Sequence, residues 1–197
     1  MMPDKDTAAI RQFLVQKVLM STERTSDVRL KKELSYLSRE RVHKPLVYVG
    51  MNTCGIIAGA QQTFNAIRAY LLDHDLDAEL IEGGCSGYCS AEPIVDIQLP
   101  GRTRLSFGHI TADKVQLLLD EVLNHNIPDL EVLGQHENPM LQSWPGPAYL
   151  QEHPFFRNQQ KTLLALCGLT DPVSIEAYIA SGGYWAFADV ISRYTPQ

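Results

Sequence analysis

Apolar residues recur along this chain with two different periods, and the changes of period mark out its elements. From about Asp6 to His43 the spacing is helical. Ile10, Phe13, Leu14 and Val18 form one stripe, and Leu30, Leu34 and Leu37 form a second, set among Arg29, Lys31, Lys32, Glu33, Arg39 and Glu40. This predicts a helical arm over 1–44, two amphipathic helices that pack on the main domain or on a partner. The pattern then shortens. Residues 46–49, behind Pro45, predict a first strand, and Ala60, Phe64, Ile67 and Leu71 mark one face of a helix over 59–73. A second strand follows at 78–81. A third holds Ile94, Val95, Ile97 and Leu99, behind Pro93, and Pro100-Gly101 turns the chain into a fourth at 105–110. Thr111 is placed to cap a helix carrying Val115, Leu118, Leu119, Val122 and Leu123.

Beyond this the pattern weakens. Pro128, Pro139, Pro145, Pro147 and Pro154 predict a loop over 127–153, anchored on the core by Trp144. Helical signal returns over 155–166. Another helix is expected to start at Asp171-Pro172, carry Ile175, Tyr178 and Ile179, and end at Gly182-Gly183, with one more holding Phe187, Val190 and Ile191. Tyr184, Trp185 and Phe187 are expected to pack in part on something outside the chain. A parallel strand pair joined by a crossover helix, then a hairpin, then a covering helix resembles the thioredoxin-like fold. The expected class is therefore α/β, with a βαββα core over 45–126 between the helical arm and a loop and helical segment over 127–197. The crossover rule makes the first two strands run the same way, so the loops that follow them emerge at one edge of the sheet.

Composition narrows the function classes. The 197 residues are 45% hydrophobic and 20% charged, with a net charge of −6, which disfavours nucleic acid and anionic membrane surfaces as partners. No apolar run reaches the roughly 18 residues of a membrane span, so no direct membrane insertion is expected. The start, Met1-Met2-Pro3-Asp4-Lys5-Asp6, lacks the order of a secretory signal. Four cysteines are too few for a disulfide-stapled scaffold, and a reducing cytoplasm is the expected location.

The chemistry concentrates in two loops. Gly83-Gly84-Cys85-Ser86-Gly87-Tyr88-Cys89 follows the second strand, and Gly50-Met51-Asn52-Thr53-Cys54-Gly55 follows the first. Glycines permit the close backbone approach that a loop around an inorganic cluster or a thiol pair requires. Cys54, Cys85 and Cys89 are thus the candidate cofactor- and iron-binding residues. Cys167, beside Leu163, Leu164 and Leu166, reads as a buried structural cysteine. An oxygen or nitrogen donor from Asn52, Thr53, Ser86, Ser90 or a histidine would hold iron less firmly than a fourth thiolate. Zinc would need a histidine such as His109, which on an apolar strand reads as packed. A disulfide among these thiols lacks the two-residue spacing of thioredoxin itself. Glu92-Pro93 reads as a structural turn with an exposed carboxylate.

Gly50-Met51-Asn52-Thr53-Cys54-Gly55-Ile56-Ile57-Ala58-Gly59-Ala60 and Gly84-Cys85-Ser86-Gly87-Tyr88-Cys89-Ser90-Ala91-Glu92-Pro93 resemble the thioredoxin-like [2Fe–2S] ferredoxin domain of the NADH-dehydrogenase superfamily. They resemble in particular its copy at the amino end of the flavin- and NADH-binding subunits of complex I-like enzymes and bifurcating hydrogenases. His153-Pro154-Phe155-Phe156 and the stretch from Cys167-Gly168 to Gly183-Tyr184 resemble the lead-in to the flavin domain of those subunits. The resemblance implies an electron-transfer domain of an NADH-dependent oxidoreductase, with a [2Fe–2S] cluster and with the flavin/NADH-binding domain and other subunits as partners. Two departures matter. Cluster-binding relatives carry a further cysteine at the position of Val49, so the set is incomplete, and a cluster-free scaffold that docks partner subunits stands as the alternative. The chain also ends at Gln197, before the glycine-rich flavin-binding loop expected next. No FMN or NAD site is expected within it, and it reads as an excised piece of such a subunit or a separately encoded accessory domain.

Overall fold

The computed structural model describes residues 7–21 and 26–194; the opening stretch Met1–Asp6, with Asp6 where the helical reading starts, lies outside the described residues. The chain divides into two compact units, Met1–Glu40 with Val173–Gln197, and Arg41–Pro172.

The first unit is helical. Helix α1 (Thr7–Phe13) runs on into a π-helical stretch, Leu14–Leu19, and is followed by α2 (Val28–Leu37), α6 (Ile175–Ala180) and α7 (Trp185–Arg193). Leu14, Val18, Leu30, Leu34, Ile179 and Ala180 make its core, so the stripes read in the arm are buried against residues from the far end of the chain. Asp27 caps α2 by accepting from the amides of Arg29 and Leu30. Ser174, rather than Asp171, caps α6, its Oγ accepting from the amide of Ala177 at 3.1 Å. Trp185 packs on this core and donates Nε1–H to the Ile179 carbonyl, whereas Tyr184 and Phe187 are exposed.

The second unit holds a five-stranded sheet in the order β2-β1-β3-β4-β5. Its strands are β1 (Leu46–Gly50), β2 (Glu79–Gly83), β3 (Val95–Gln98), β4 (Leu105–Phe107) and β5 (Val132–Gln135). β1 and β2 are parallel, and β3, β4 and β5 follow in antiparallel pairs. Helices α3 (Thr53–Ala58) and α4 (Ala60–Asp73) form the crossover, and α5 (Val115–Leu123) follows β4. This is the thioredoxin-like α/β arrangement, extended by β5. Val47, Val49, Val95, Ile97, Leu105 and Phe107 turn one face of the sheet onto Phe64, Ile67 and Leu71 of α4 and Leu118, Leu119 and Val122 of α5. Period-two alternation in the strands and 3.6-residue periodicity in the helices meet here.

Two stretches differ from the sequence reading. β5 lies inside the expected loop, and residues 155–166 form successive turns instead of a helix. Trp144 does anchor its segment: it is buried in the main core and donates Nε1–H to the Thr103 carbonyl at 2.8 Å. Among the described residues, no helix is long and apolar enough to cross a membrane.

Candidate functional site

The register of the parallel pair sets the site. Gly50 at the end of β1 lies opposite Gly83 at the end of β2, and the Met51 amide donates to the Gly83 carbonyl at 3.0 Å. Both cysteine loops therefore leave the sheet side by side. The Gly50 amide also donates to the Ile94 carbonyl, which brings the segment after Cys89 to the same edge. The Glu92–Pro93 peptide, just ahead of β3, is cis.

Cys54 sits in the first turn of α3. Asn52 caps that helix, its Oδ1 accepting from the Gly55 amide at 3.0 Å. A Cβ on Gly55 would lie 2.0 Å from the Gly50 carbonyl oxygen, so only glycine lets the loop fold back this tightly. Cys89 opens a short 3-10 turn, Cys89–Ala91. Cys89 interacts electrostatically with both Cys54 and Cys85. The three thiols singled out in the sequence thus meet, Cys54 and Cys89 exposed and Cys85 half-buried, all as free cysteines.

The electrostatics of Cys85 and Cys89 differ from those of an activated thiol pair. The hydrogen bond to Cys54 is the largest influence raising the Cys89 pKa. Burial raises that of Cys85, against the opposing pull of the Gly87 amide, which donates to Cys85 Sγ at 3.2 Å. A nucleophilic thiol of the thioredoxin kind needs a lowered pKa, so the disulfide-exchange reading loses ground.

The fourth position is different. Val49, where the resemblance implies a further cysteine, is fully buried in the apolar core. Among the described residues, no group of three or more His, Cys, Asp or Glu side chains is arranged to hold a single metal ion. A [2Fe–2S] cluster makes a different demand, because it spreads four thiolates over two irons and needs no common point.

Two further sequence candidates, Asn52 and His109, are committed elsewhere. Asn52 uses both ends of its amide, since Nδ2 also donates to Glu92 Oε1 at 2.9 Å. His109 is exposed rather than packed, and both its ring nitrogens are engaged, Nδ1 with Glu131 and Nε2 with the Ser90 carbonyl at 2.9 Å. The hydrogen bond to Glu131 holds its pKa above the ordinary histidine value. Cys167, read as buried, is exposed. Its neighbour Gly168 packs close to Gly84 and Ser86, and Lys161 Nζ donates to the Ser86 carbonyl at 2.7 Å.

Glu92 is the largest correction. Its carboxylate is buried, not exposed, and it accepts from the Ile94 amide at 2.8 Å as well as from Asn52. It ties the Cys54 loop to the start of β3 and places a negative charge against Cys85 and Cys89. The signal in the sequence was an acid immediately before a proline at the end of a cysteine-bearing loop.

No family model matches the chain. Among curated proteins, it is similar to the NADP-reducing hydrogenase subunit HndB of Solidesulfovibrio fructosivorans, with 30% identity over 112 residues, 55% of this chain and 89% of that subunit. Among solved structures, it is similar to a thioredoxin-like [2Fe–2S] ferredoxin from Aquifex aeolicus. One structure is 14% identical with a TM-score of 0.42, covering 50% of this chain and 98% of that one. A wild-type structure at 1.5 Å resolution is 16% identical with a TM-score of 0.37, covering 44% and 91%. Strand order and direction, rather than these overlays, define the fold described above.

Proposed function

Because the chain belongs to the family of the hydrogenase subunit HndB, we propose that it is a thioredoxin-like [2Fe–2S] electron-transfer domain of a multisubunit redox enzyme of the hydrogenase and NADH-dehydrogenase type. In this reading it works beside a flavin- and NADH-binding domain and other subunits of an NADH-oxidising complex, and Cys54, Cys85 and Cys89 hold the iron. The meeting of three thiols from two loops at one sheet edge is the observation that carries it. A bound [2Fe–2S] cluster would supply a one-electron carrier. The chain's own residues supply the thiolates, present the Gly87 amide to Cys85 Sγ, and fix the spacing of the two loops through Asn52 and Glu92.

Val49 favours a second reading, in which the domain holds no cluster and docks partner subunits. Anaerobic reconstitution of the full chain with iron and sulfide separates the two. The first predicts brown protein with about two irons per chain and a paramagnetic signal on reduction. Cys54→Ser, Cys85→Ser and Cys89→Ser should each lose iron, while Cys167→Ser should keep it. Protein that stays colourless supports the scaffold. Val49→Cys, close to isosteric in its buried place, should then raise the iron content; an unchanged count would put the fourth ligand elsewhere.

A further inference from the structure

The sheet face turned away from α4 and α5 carries charge. Asp96 of β3 stands opposite Ser106 of β4, with Arg104 beside them. Arg104 stacks over the Tyr48 ring at 4.3 Å and donates to the Gly168 and Leu169 carbonyls at 3.3 and 3.0 Å. Residues 150–169 close over this face and leave a cavity of about 340 Å3. That is within the size of small-molecule sites, and at about 30 Å3 per water it holds roughly ten waters or one single- or double-ring molecule. Tyr48, Ile94, Leu133 and Phe156 give it apolar walls.

Its polar groups are selective. The lining carries three carboxylates, Glu92, Asp96 and Glu137, and one ammonium, Lys161. Asp96 is only 8% exposed. Its Oδ2 lies 3.9 Å from Arg104 Nη1 and 3.7 Å from His136 Nε2, while its Oδ1 is buried with no hydrogen-bond partner. At those distances Oδ2 makes no short hydrogen bond, so a donor that reaches it from the cavity is favoured. Ser, His and Asp side chains together suggest a hydrolytic triad, but Ser106 Oγ and Asp96 both face His136 Nε2, so the relay geometry is absent.

We infer that this cavity is a binding site for a small planar aromatic molecule with a cationic or N–H-donating end, of the aryl amine or amidine class. Its donor meets Asp96 Oδ2 and its ring lies between Tyr48, Ile94, Leu133 and Phe156. Carboxylates and phosphates are disfavoured by the acidic lining. Gly50, Gly83, Gly84, Ser86 and Glu92 also line the cavity, so the bound molecule sits directly behind the thiol loops. The site does not depend on what those thiols hold.

Benzamidine and benzoate, equal in shape and opposite in charge, test the inference by isotope-edited NMR titration of the full chain. Benzamidine should shift the amides of Asp96, Ser106 and His136, and benzoate should bind at least tenfold more weakly. Asp96→Asn should weaken benzamidine at least tenfold, the effect of losing one charged hydrogen bond. Ala165→Trp, at an exposed position in the cavity wall, should block binding without touching the core, and it decides the matter if Asp96→Asn fails to fold. Benzoate binding as tightly as benzamidine, shifts mapping outside the cavity, unchanged binding in the folded variants, or no binding up to the solubility limit would each overturn it.

Discussion

The two faces of the sheet are buried in opposite ways. One meets two regular helices through side chains that are nearly all aliphatic or aromatic. The other buries Asp96, Gln98, Arg104 and Ser106 beneath a run of turns that has no regular structure of its own. The first face needs only shape and size to match, because its atoms demand nothing but removal from water. The second must satisfy each donor and acceptor individually, and at Asp96 Oδ1 it leaves one unsatisfied within the chain. The apolar face makes the fold stable, and the polar face leaves room for chemistry.

That contrast can be broken by substitution. Phe107→Ala, in the fully buried apolar layer, should cost about 3–5 kcal/mol in denaturant unfolding, with an unchanged slope. On the other face Arg104→Ala should cost about 3 kcal/mol, chiefly because Asp96 would keep a buried charge with its permanently charged partner gone. A loss below about 0.5 kcal/mol would mean the polar face behaves as surface and the contrast fails. Asn52→Ala removes a helix cap and one donor to buried Glu92 together, and about 1–2 kcal/mol is expected, with α3 fraying first in hydrogen exchange.

The smallest effect is a slope with pH. Burial pushes the Asp96 carboxyl up, but His136, Arg104 and Ser106 together hold it below the ordinary aspartate value. A carboxyl lowered in this way stabilises the fold above its unfolded pKa of about 3.9, and the contribution is lost as pH falls through the lower folded value. Asp96→Asn should therefore be less stable than the parent at neutral pH, and the gap should close below about pH 3.9. A gap that is constant down the acid limb would show that the carboxylate charge is not the stabilising feature.

The sequence shows one face far better than the other, for a physical reason. Val47, Val49, Ile97 and Phe64 announce themselves because a buried apolar stripe has to follow the period of its element. The emergence of both cysteine loops at one edge is equally legible, since parallel strands joined by a helix must end there. Asp96, between Val95 and Ile97, looks like an ordinary solvent-facing position in an alternating strand. Arg104, His136 and the distant residues 150–169 across the cavity cover it, and no local pattern encodes that surrounding. β5 was hidden by brevity, with Pro128 and Pro139 nearby and Gly134 at φ 150 inside it. Phe155 and Phe156 gave a helical signal, yet they are held in turns by stacking on Tyr88, with ring centroids 4.3 Å apart for Phe155. Glu92 was read correctly as a turn residue and wrongly as exposed, because its burial depends on glycine at both 50 and 55.

The turns over 155–168 act as a brace for the double-cysteine loop: Phe155 stacks on Tyr88, Lys161 grips the Ser86 carbonyl, and Gly168 packs close to Gly84. Arg157 and Lys161 lie exposed on that brace, so trypsin can reach it without unfolding the sheet. A single nick there would leave every thiol chemically intact, yet it would free the back of the loop that spaces Cys85 from Cys89. Damage to a surface strap would thus register as a loosened sulfur pair on the far side of the backbone.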